Sequence, residues 1–138
     1  MPATALTAIR QVMLPVRDLE RAVAFYRDSL GASLTASLPP GLAFFDFSGV
    51  RLLLEQSDDE IAASGSCLYF AVEDIHEAQR ALEVAGVKFS HPAHRIFVDA
   101  GGTFGPVGEE EWMAFFSDPD GNTLALAWRG AAQGDSDE

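Results

Sequence analysis

The sequence predicts one α+β domain built from two copies of a module that contains one helix and several strands. Three observations lead to this fold class: an apolar run ending in Asp occurs twice, an amphipathic segment that stops at glycine follows each run, and each copy closes with a hairpin signal. A chain of 138 residues, 48% of them hydrophobic, is long enough to bury a core. Module one is expected over about residues 8–56 and module two over about 66–129. A linker over 57–65 is expected to join them, and a disordered tail over about 130–138 to follow.

Each module is predicted to begin with a strand that leads directly into a capped helix. The two strands end at Asp18 and Asp74, whose carboxylates are expected to accept hydrogen bonds from amides of the first helical turn. Apolar residues recur at helical spacing over about residues 19–30 and 75–85, and a glycine follows each segment. Two helices are therefore expected in corresponding places.

Each helix is predicted to be followed by strands that end in a hairpin. The turns are expected at Ser48-Gly49 and at Pro119-Asp120-Gly121, where proline presets φ and glycine accepts a positive φ. The paired strands are expected over 42–47 with 50–55 and over 111–116 with 122–128. The second copy carries an insert between Val87 and Glu111, whose Gly-rich stretch 100–108 predicts a loop that either covers a pocket or is mobile.

Composition and charge argue against several classes of partner. The formal net charge is −12, with 21 acidic and 9 basic residues, which repels nucleic-acid phosphates and anionic membranes and attracts a cationic ligand. No apolar run reaches the ~18 residues that span a bilayer, and the first residues show no secretory signal. The single cysteine, Cys67, is typical of a reducing compartment, so a cytoplasmic location is expected.

Several short motifs, taken in order, resemble the vicinal oxygen chelate superfamily, which includes glyoxalase I, bleomycin-resistance proteins and extradiol dioxygenases. They are, in order, Val16-Arg17-Asp18-Leu19, Phe25-Tyr26, Leu30-Gly31, Val72-Glu73-Asp74-Ile75 and the run from Phe116 to Asn122. The resemblance implies two tandem βαβββ modules that form an open half-barrel cleft with helices on the outer faces. It also implies a homodimer and a ligand or metal on the concave face, but not a particular reaction.

The resemblance further implies where a metal would be held, because metal-dependent members use one ligand from the first and one from the last strand of each module. The corresponding positions here are Gln11, Leu53, Cys67 and Ala125. Leu53 and Ala125 have no lone pair to donate, so no metal and no other cofactor is expected. An alternative is a displaced site formed by Gln11, Glu55 and Cys67.

Side-chain alternation along the strands predicts which residues face the cleft. The expected set is mostly apolar and aromatic with a few polar groups, which is typical of a small-molecule site. Its members are Gln11, Met13, Phe44, Leu53, Glu55, Cys67, Tyr69, Trp112, Ala114, Phe116 and Ala125. Alternatively, these aromatic side chains fill the cleft as ordinary core.

Three functions remain open on this reading. The first is metal-free binding or sequestration of a small aromatic or cationic compound. The second is a lyase, epimerase or dioxygenase that uses a displaced metal or an acid–base loop with His91 and His94, close to Glu110. The third is a dimeric module whose cleft is filled by its own side chains.

Overall fold

The computed structural model describes residues 7–57 and 67–132. The chain divides into two compact units, residues 1–62 and 63–138, which are treated separately below as module one and module two. Each contains one four-stranded mixed sheet and one helical segment, so the predicted α+β class is confirmed. Most of the predicted linker and the tail beyond residue 132 lie outside the described residues; Gly130, expected in the tail, ends the last strand.

Module one contains four strands and one helix. The elements are β1 (Gln11–Val16), α1 (Leu19–Ala24), a π-helical turn (Phe25–Ser29), β2 (Ser33–Leu38), β3 (Leu42–Phe47) and β4 (Val50–Gln56). The strand order is β1-β4-β3-β2, in which β1 runs parallel to β4 and the other neighbours are antiparallel. The predicted hairpin is confirmed, since Ser48 and Gly49 both have positive φ between β3 and β4.

The first helix begins at a capping aspartate and is followed by a glycine with positive φ. The Asp18 side chain accepts a hydrogen bond from the Arg21 amide at 3.2 Å, as the sequence predicts. The segment is helical to Ser29, but its last turn is π-helical, with the Leu30 amide donating to the Phe25 carbonyl at 3.0 Å. Gly31 follows with a φ of 74°.

Alternation along the strands gives the module-one sheet two distinct faces. The helix face carries buried apolar residues that pack against the helical segment, including Phe45, whose ring lies 5.8 Å from that of Tyr26. Leu14, Leu52 and Leu54 lie on this face and are also buried. We call the opposite side the open face of module one; it carries Gln11, Met13, Phe44, Arg51, Leu53 and Glu55.

Module two repeats this architecture, with longer second, third and fourth strands. The elements are β5 (Cys67–Ala71), α2 (Ile75–Val84), β6 (Phe89–Val98), β7 (Glu110–Ser117) and β8 (Thr123–Gly130). The strand order is β5-β8-β7-β6, with β5 parallel to β8. The Asp74 side chain accepts from the Glu77 amide at 3.0 Å, which confirms the second predicted cap.

The core of module two lies between α2 and its sheet. Trp112 is 1% exposed, and its ring lies 5.4 Å from that of His76 on α2. Ala114, Phe116 and Leu124 are buried on the same side, which we call the helix face of module two. The open face of module two carries Cys67, Tyr69, His91, His94, Glu111, Met113, Phe115, Ala125 and Arg129.

The inserted segment of module two begins as a strand and ends in the predicted Gly-rich loop. Residues 89–98 form β6, the edge strand paired with β7, and only residues 99–109 connect the two. Its pairing is interrupted by register shifts at three places. These bulges break the period-2 pattern, so alternation along the sequence does not reveal this strand. Among the described residues, no helix has the length and apolar character needed to cross a membrane.

Candidate functional site

The predicted ligand residues of module one share a single sheet face. Gln11 and Met13 on β1 pair with Arg51 and Leu53 on β4, and Phe44 on β3 pairs with Leu53. All five therefore project from the open face, opposite the helix. Met13 is 49% exposed, so this face is available for contact within the described part of the module. Glu55, the remaining predicted residue, lies at the other end of β4, whereas Arg51 is not in the predicted set.

One end of this open face carries a restrained guanidinium group. The Arg51 Nε donates to the Gln11 Oε1 at 3.0 Å, and its Cζ lies 5.9 Å from the centroid of the Phe44 ring. These two contacts restrain the orientation of the planar guanidinium group. Arg51 lies two residues before Leu53 on β4 and therefore shares its face, but it is not among the residues predicted to face the cleft.

The open face of module two carries a row of three rings. The Phe115 ring is contacted edge-on by Tyr69, at 6.3 Å between centroids, and by His91, at 5.9 Å. Ala125 pairs with both Tyr69 and Phe115, and its small side chain is buried between them. Tyr69 is 54% exposed, so the row presents a phenol and an imidazole beside an aromatic surface.

Three predicted cleft residues lie on the wrong side of the sheet for that role. Trp112, Ala114 and Phe116 are at most 1% exposed and face α2. The register of β7 with β8 is the physical reason, because Ala125 pairs with Phe115 and the residues on either side of Phe115 therefore point to the helix face. Phe115 takes the place that the prediction gave to its neighbours.

The predicted acid–base loop of His91, His94 and Glu110 does not exist as a loop. Both histidines lie on β6, and the His94 Nδ1 donates to the Pro92 carbonyl at 2.9 Å. Glu110 lies on the helix face, where it accepts from Trp112 Nε1 at 2.9 Å and from Arg95 Nη1 at 3.1 Å. It is 3% exposed, so the predicted pairing of Glu110 with a histidine of the open face is wrong.

An arginine-centred cluster closes one end of the module-two open face and holds the Gly-rich loop. Arg129 donates to Asp99 at 2.7 Å, to Glu109 at 2.7 Å and to Glu111 at 3.0 Å. A Cβ on Gly105 would lie 2.9 Å from the Arg129 Nε, so glycine is needed for the loop to approach this side chain. The loop is thus fastened to β7 and β8 by ion pairs.

The cluster shifts the protonation equilibria of its members. Asp99 accepts from the Phe104 and Thr103 amides, both at 2.8 Å. The Phe104 amide contributes most, and with Arg129 it lowers the pKa of Asp99 although burial opposes the change. Hydrogen bonds from Arg129 to Asp99 and Glu111 raise the pKa of the arginine.

The positions that hold metal in related enzymes have donors that do not suit a divalent ion. Leu53 and Ala125 carry no donor atom, and the Gln11 oxygen is engaged by Arg51. Burial raises the pKa of the Cys67 thiol, with Tyr69 acting weakly in the opposite direction, so the thiolate that binds metal is disfavoured. Among the described residues, no group of three His, Cys, Asp or Glu side chains converges.

The alternative metal site through Glu55 also fails on geometry. Gln11 pairs with Arg51 and Glu55 pairs with Pro15, so four residue positions separate Gln11 from Glu55 along the sheet. At about 3.3 Å per residue this is roughly 13 Å, which is too far for two side chains to share one ion. The displaced site is therefore not formed within module one.

Two surface concavities of module one lie away from the open face. They have volumes of about 410 and 310 Å³, and both are lined by Leu19, Glu20 and Ser37. Ser37 pairs with Ala43, which belongs to the helix face, so these concavities lie beside α1. They contain none of the predicted ligand residues.

Comparison with known proteins identifies the family. Residues 8–126 match the model of the Glyoxalase/Bleomycin resistance protein/Dioxygenase superfamily. The chain belongs to this superfamily. The match covers both modules and therefore confirms the resemblance inferred from the short motifs.

Solved structures of the glyoxalase/bleomycin-resistance/dioxygenase superfamily resemble the chain closely in fold. A lactoylglutathione lyase from Agrobacterium tumefaciens is 25% identical, with a TM-score of 0.69 over 90% of this chain and 95% of that one. A superfamily protein from Alicyclobacillus acidocaldarius is also 25% identical, with a TM-score of 0.67 over 88% and 90% of the two chains. A third, from Nocardioides, is 20% identical, with a TM-score of 0.73 over 96% and 88%, and shows the shared fold alone.

Proposed function

We propose that the protein binds a small aromatic compound on the open face of module two without the help of a metal ion. The observation that carries this proposal is the ring row of Tyr69, Phe115 and His91. The exposed Tyr69 and His91 side chains, beside the half-buried ring of Phe115, offer a stacking surface for a planar ligand. The phenol and the imidazole supply hydrogen-bonding groups at the edge of that surface.

The donor chemistry at the four metal positions supports the metal-free part of the proposal. Two of the positions are hydrocarbon side chains and a third, Gln11, is engaged with arginine. The apolar and aromatic residues on the open faces remain available to bind an organic molecule when no metal ligands are present. Binding then depends on stacking and hydrogen bonds alone.

Methionine methyl groups provide a direct test, because Met13 and Met113 lie on the open faces of the two modules. Chelator-treated protein labelled with ¹³C at the methionine methyls is titrated with a panel of neutral aromatic compounds. We expect saturable shifts of the Met113 signal for at least one compound. The variant Tyr69→Ala should weaken binding, whereas Val84→Ala, an exposed apolar substitution on α2, should not. No shift with any compound would refute the proposal.

A lyase activity is the second candidate, favoured by the 25% identity to the Agrobacterium protein named lactoylglutathione lyase. On this reading His91 would exchange a proton with substrate beside Tyr69. Turnover of the glutathione–methylglyoxal hemithioacetal, measured with and without added Ni²⁺ or Zn²⁺, tests it. Turnover that is lost in His91→Ala but kept in His76→Ala would favour the lyase over simple binding.

A further inference from the structure

We infer that the open face of module one selects a ligand that carries a carboxylate, which Arg51 binds. This inference rests on the proposed function and defines the charge of the ligand. It runs against the expectation, drawn from net charge alone, that the ligand is cationic.

The geometry of Arg51 suits a bidentate contact with an anion. Its Nε is engaged by the Gln11 oxygen at 3.0 Å, while the Phe44 ring lies 5.9 Å from the guanidinium carbon. These two neighbours restrain the side chain and leave its two terminal nitrogens to donate. A restrained guanidinium loses little entropy on binding a carboxylate and donates two parallel hydrogen bonds to it.

The charge environment of Arg51 is the second argument. In a chain with 21 acidic and 9 basic residues, some arginines are neutralised by carboxylates: Arg129 contacts three, and Arg27 and Arg95 contact one each. Arg51 forms no ion pair with any carboxylate in residues 7–57 or 67–132. Asp46, directly across the hairpin from it, accepts instead from the Gly49 amide at 3.2 Å.

The residues next to Arg51 define the rest of the ligand. Leu53, two positions along β4, and its partner Met13 lie roughly 6.6 Å further along the open face. Glu55 lies two positions beyond Leu53 and would repel a second anionic group at that end. The matching ligand is therefore a small apolar or aromatic monocarboxylate.

Three probes of similar shape and different charge test the inference: phenylacetate, benzyl alcohol and benzylamine. Binding is measured from the Met13 and Met113 methyl signals of the full chain. We expect phenylacetate to bind most tightly, and Arg51→Gln to weaken it by roughly tenfold or more, as loss of a charge-assisted hydrogen bond predicts. Arg80→Gln, an exposed arginine on α2, makes the same change in net charge and should leave binding unchanged. Equal melting temperatures of the two free variants would show that both are folded.

The outcomes separate this inference from the proposed function. If benzyl alcohol or benzylamine binds as well as phenylacetate, or if Arg51→Gln leaves phenylacetate binding intact, the carboxylate inference is wrong while metal-free binding stands. If no probe and no member of the neutral panel shifts either methionine signal, both fail.

Discussion

The assignment of aromatic residues to opposite faces of the module-two sheet predicts very different consequences for two substitutions. Trp112 is 1% exposed, and its indole donates to Glu110, which is 3% exposed. Tyr69 is 54% exposed on the open face. We therefore expect Trp112 to contribute to stability and Tyr69 to contribute to binding.

The magnitudes follow from burial. Replacing a buried Trp with Ala costs about 3–5 kcal/mol, which is a large part of the stability of an ordinary domain. Trp112→Phe is the milder test: it keeps a ring but removes the hydrogen bond that the indole donates to the buried Glu110 carboxylate, at a cost of about 1–3 kcal/mol. Tyr69→Ala removes an exposed side chain and should cost less than about 1 kcal/mol.

Guanidinium denaturation followed by far-ultraviolet circular dichroism measures both variants without relying on tryptophan fluorescence. We expect the unfolding free energy of Tyr69→Ala to lie close to that of the wild type and that of Trp112→Phe to be clearly lower. If Tyr69→Ala is as destabilising as Trp112→Phe, the two faces are assigned wrongly and the ring row is part of the core.

Three further predictions concern the charged cluster and the cysteine. Arg129→Met should leave three carboxylates facing one another, so hydrogen exchange at the Thr103 amide should be faster than in the wild type, while exchange in β4 stays unchanged. A Thr103 exchange rate equal to that of the wild type would contradict the role of Arg129 in fastening the loop. Because the folded-state pKa of Asp99 is lowered, its stabilising contribution is present above its unfolded pKa, near 4, and is lost as the pH falls through the folded value. Exchange in the loop should therefore rise on acidification below about pH 4, and Asp99→Asn should abolish that rise. Since the pKa of Cys67 is raised, its alkylation by iodoacetamide should be slower at pH 8 than that of a free cysteine peptide; faster alkylation would contradict a protonated thiol.

The sequence predicted the elements whose signals are local. Asp18 and Asp74 cap helices because a carboxylate before an amphipathic segment satisfies the first free amides whatever the tertiary context. The hairpin at Ser48-Gly49 likewise depends on two residues that tolerate positive φ. The alternation in β1, β3 and β4 separates the predicted residues Gln11, Met13 and Leu53 from Leu14, Phe45, Leu52 and Leu54, which are buried on the opposite, helix face.

The failures have physical reasons as well. Strand β7 carries large apolar side chains on both faces, Trp112 and Phe116 on one and Met113 and Phe115 on the other, so its pattern is equally compatible with either assignment. Only pairing with Ala125 decides between them, and pairing is a tertiary property. The role of Arg129 was missed because its carboxylate partners lie 18 to 30 residues away in the chain.

The central claim is that an organic ligand binds to the open faces without a metal ion. Its most direct test is the affinity of one bound probe, read from the Met13 and Met113 methyl signals, in chelator-treated protein and again with one equivalent of Mn²⁺. We predict the same dissociation constant in both samples and no selective broadening of either signal by the paramagnetic ion. Binding that appears only with Mn²⁺, accompanied by selective broadening of a methionine signal, would contradict the account and indicate a metal-dependent site.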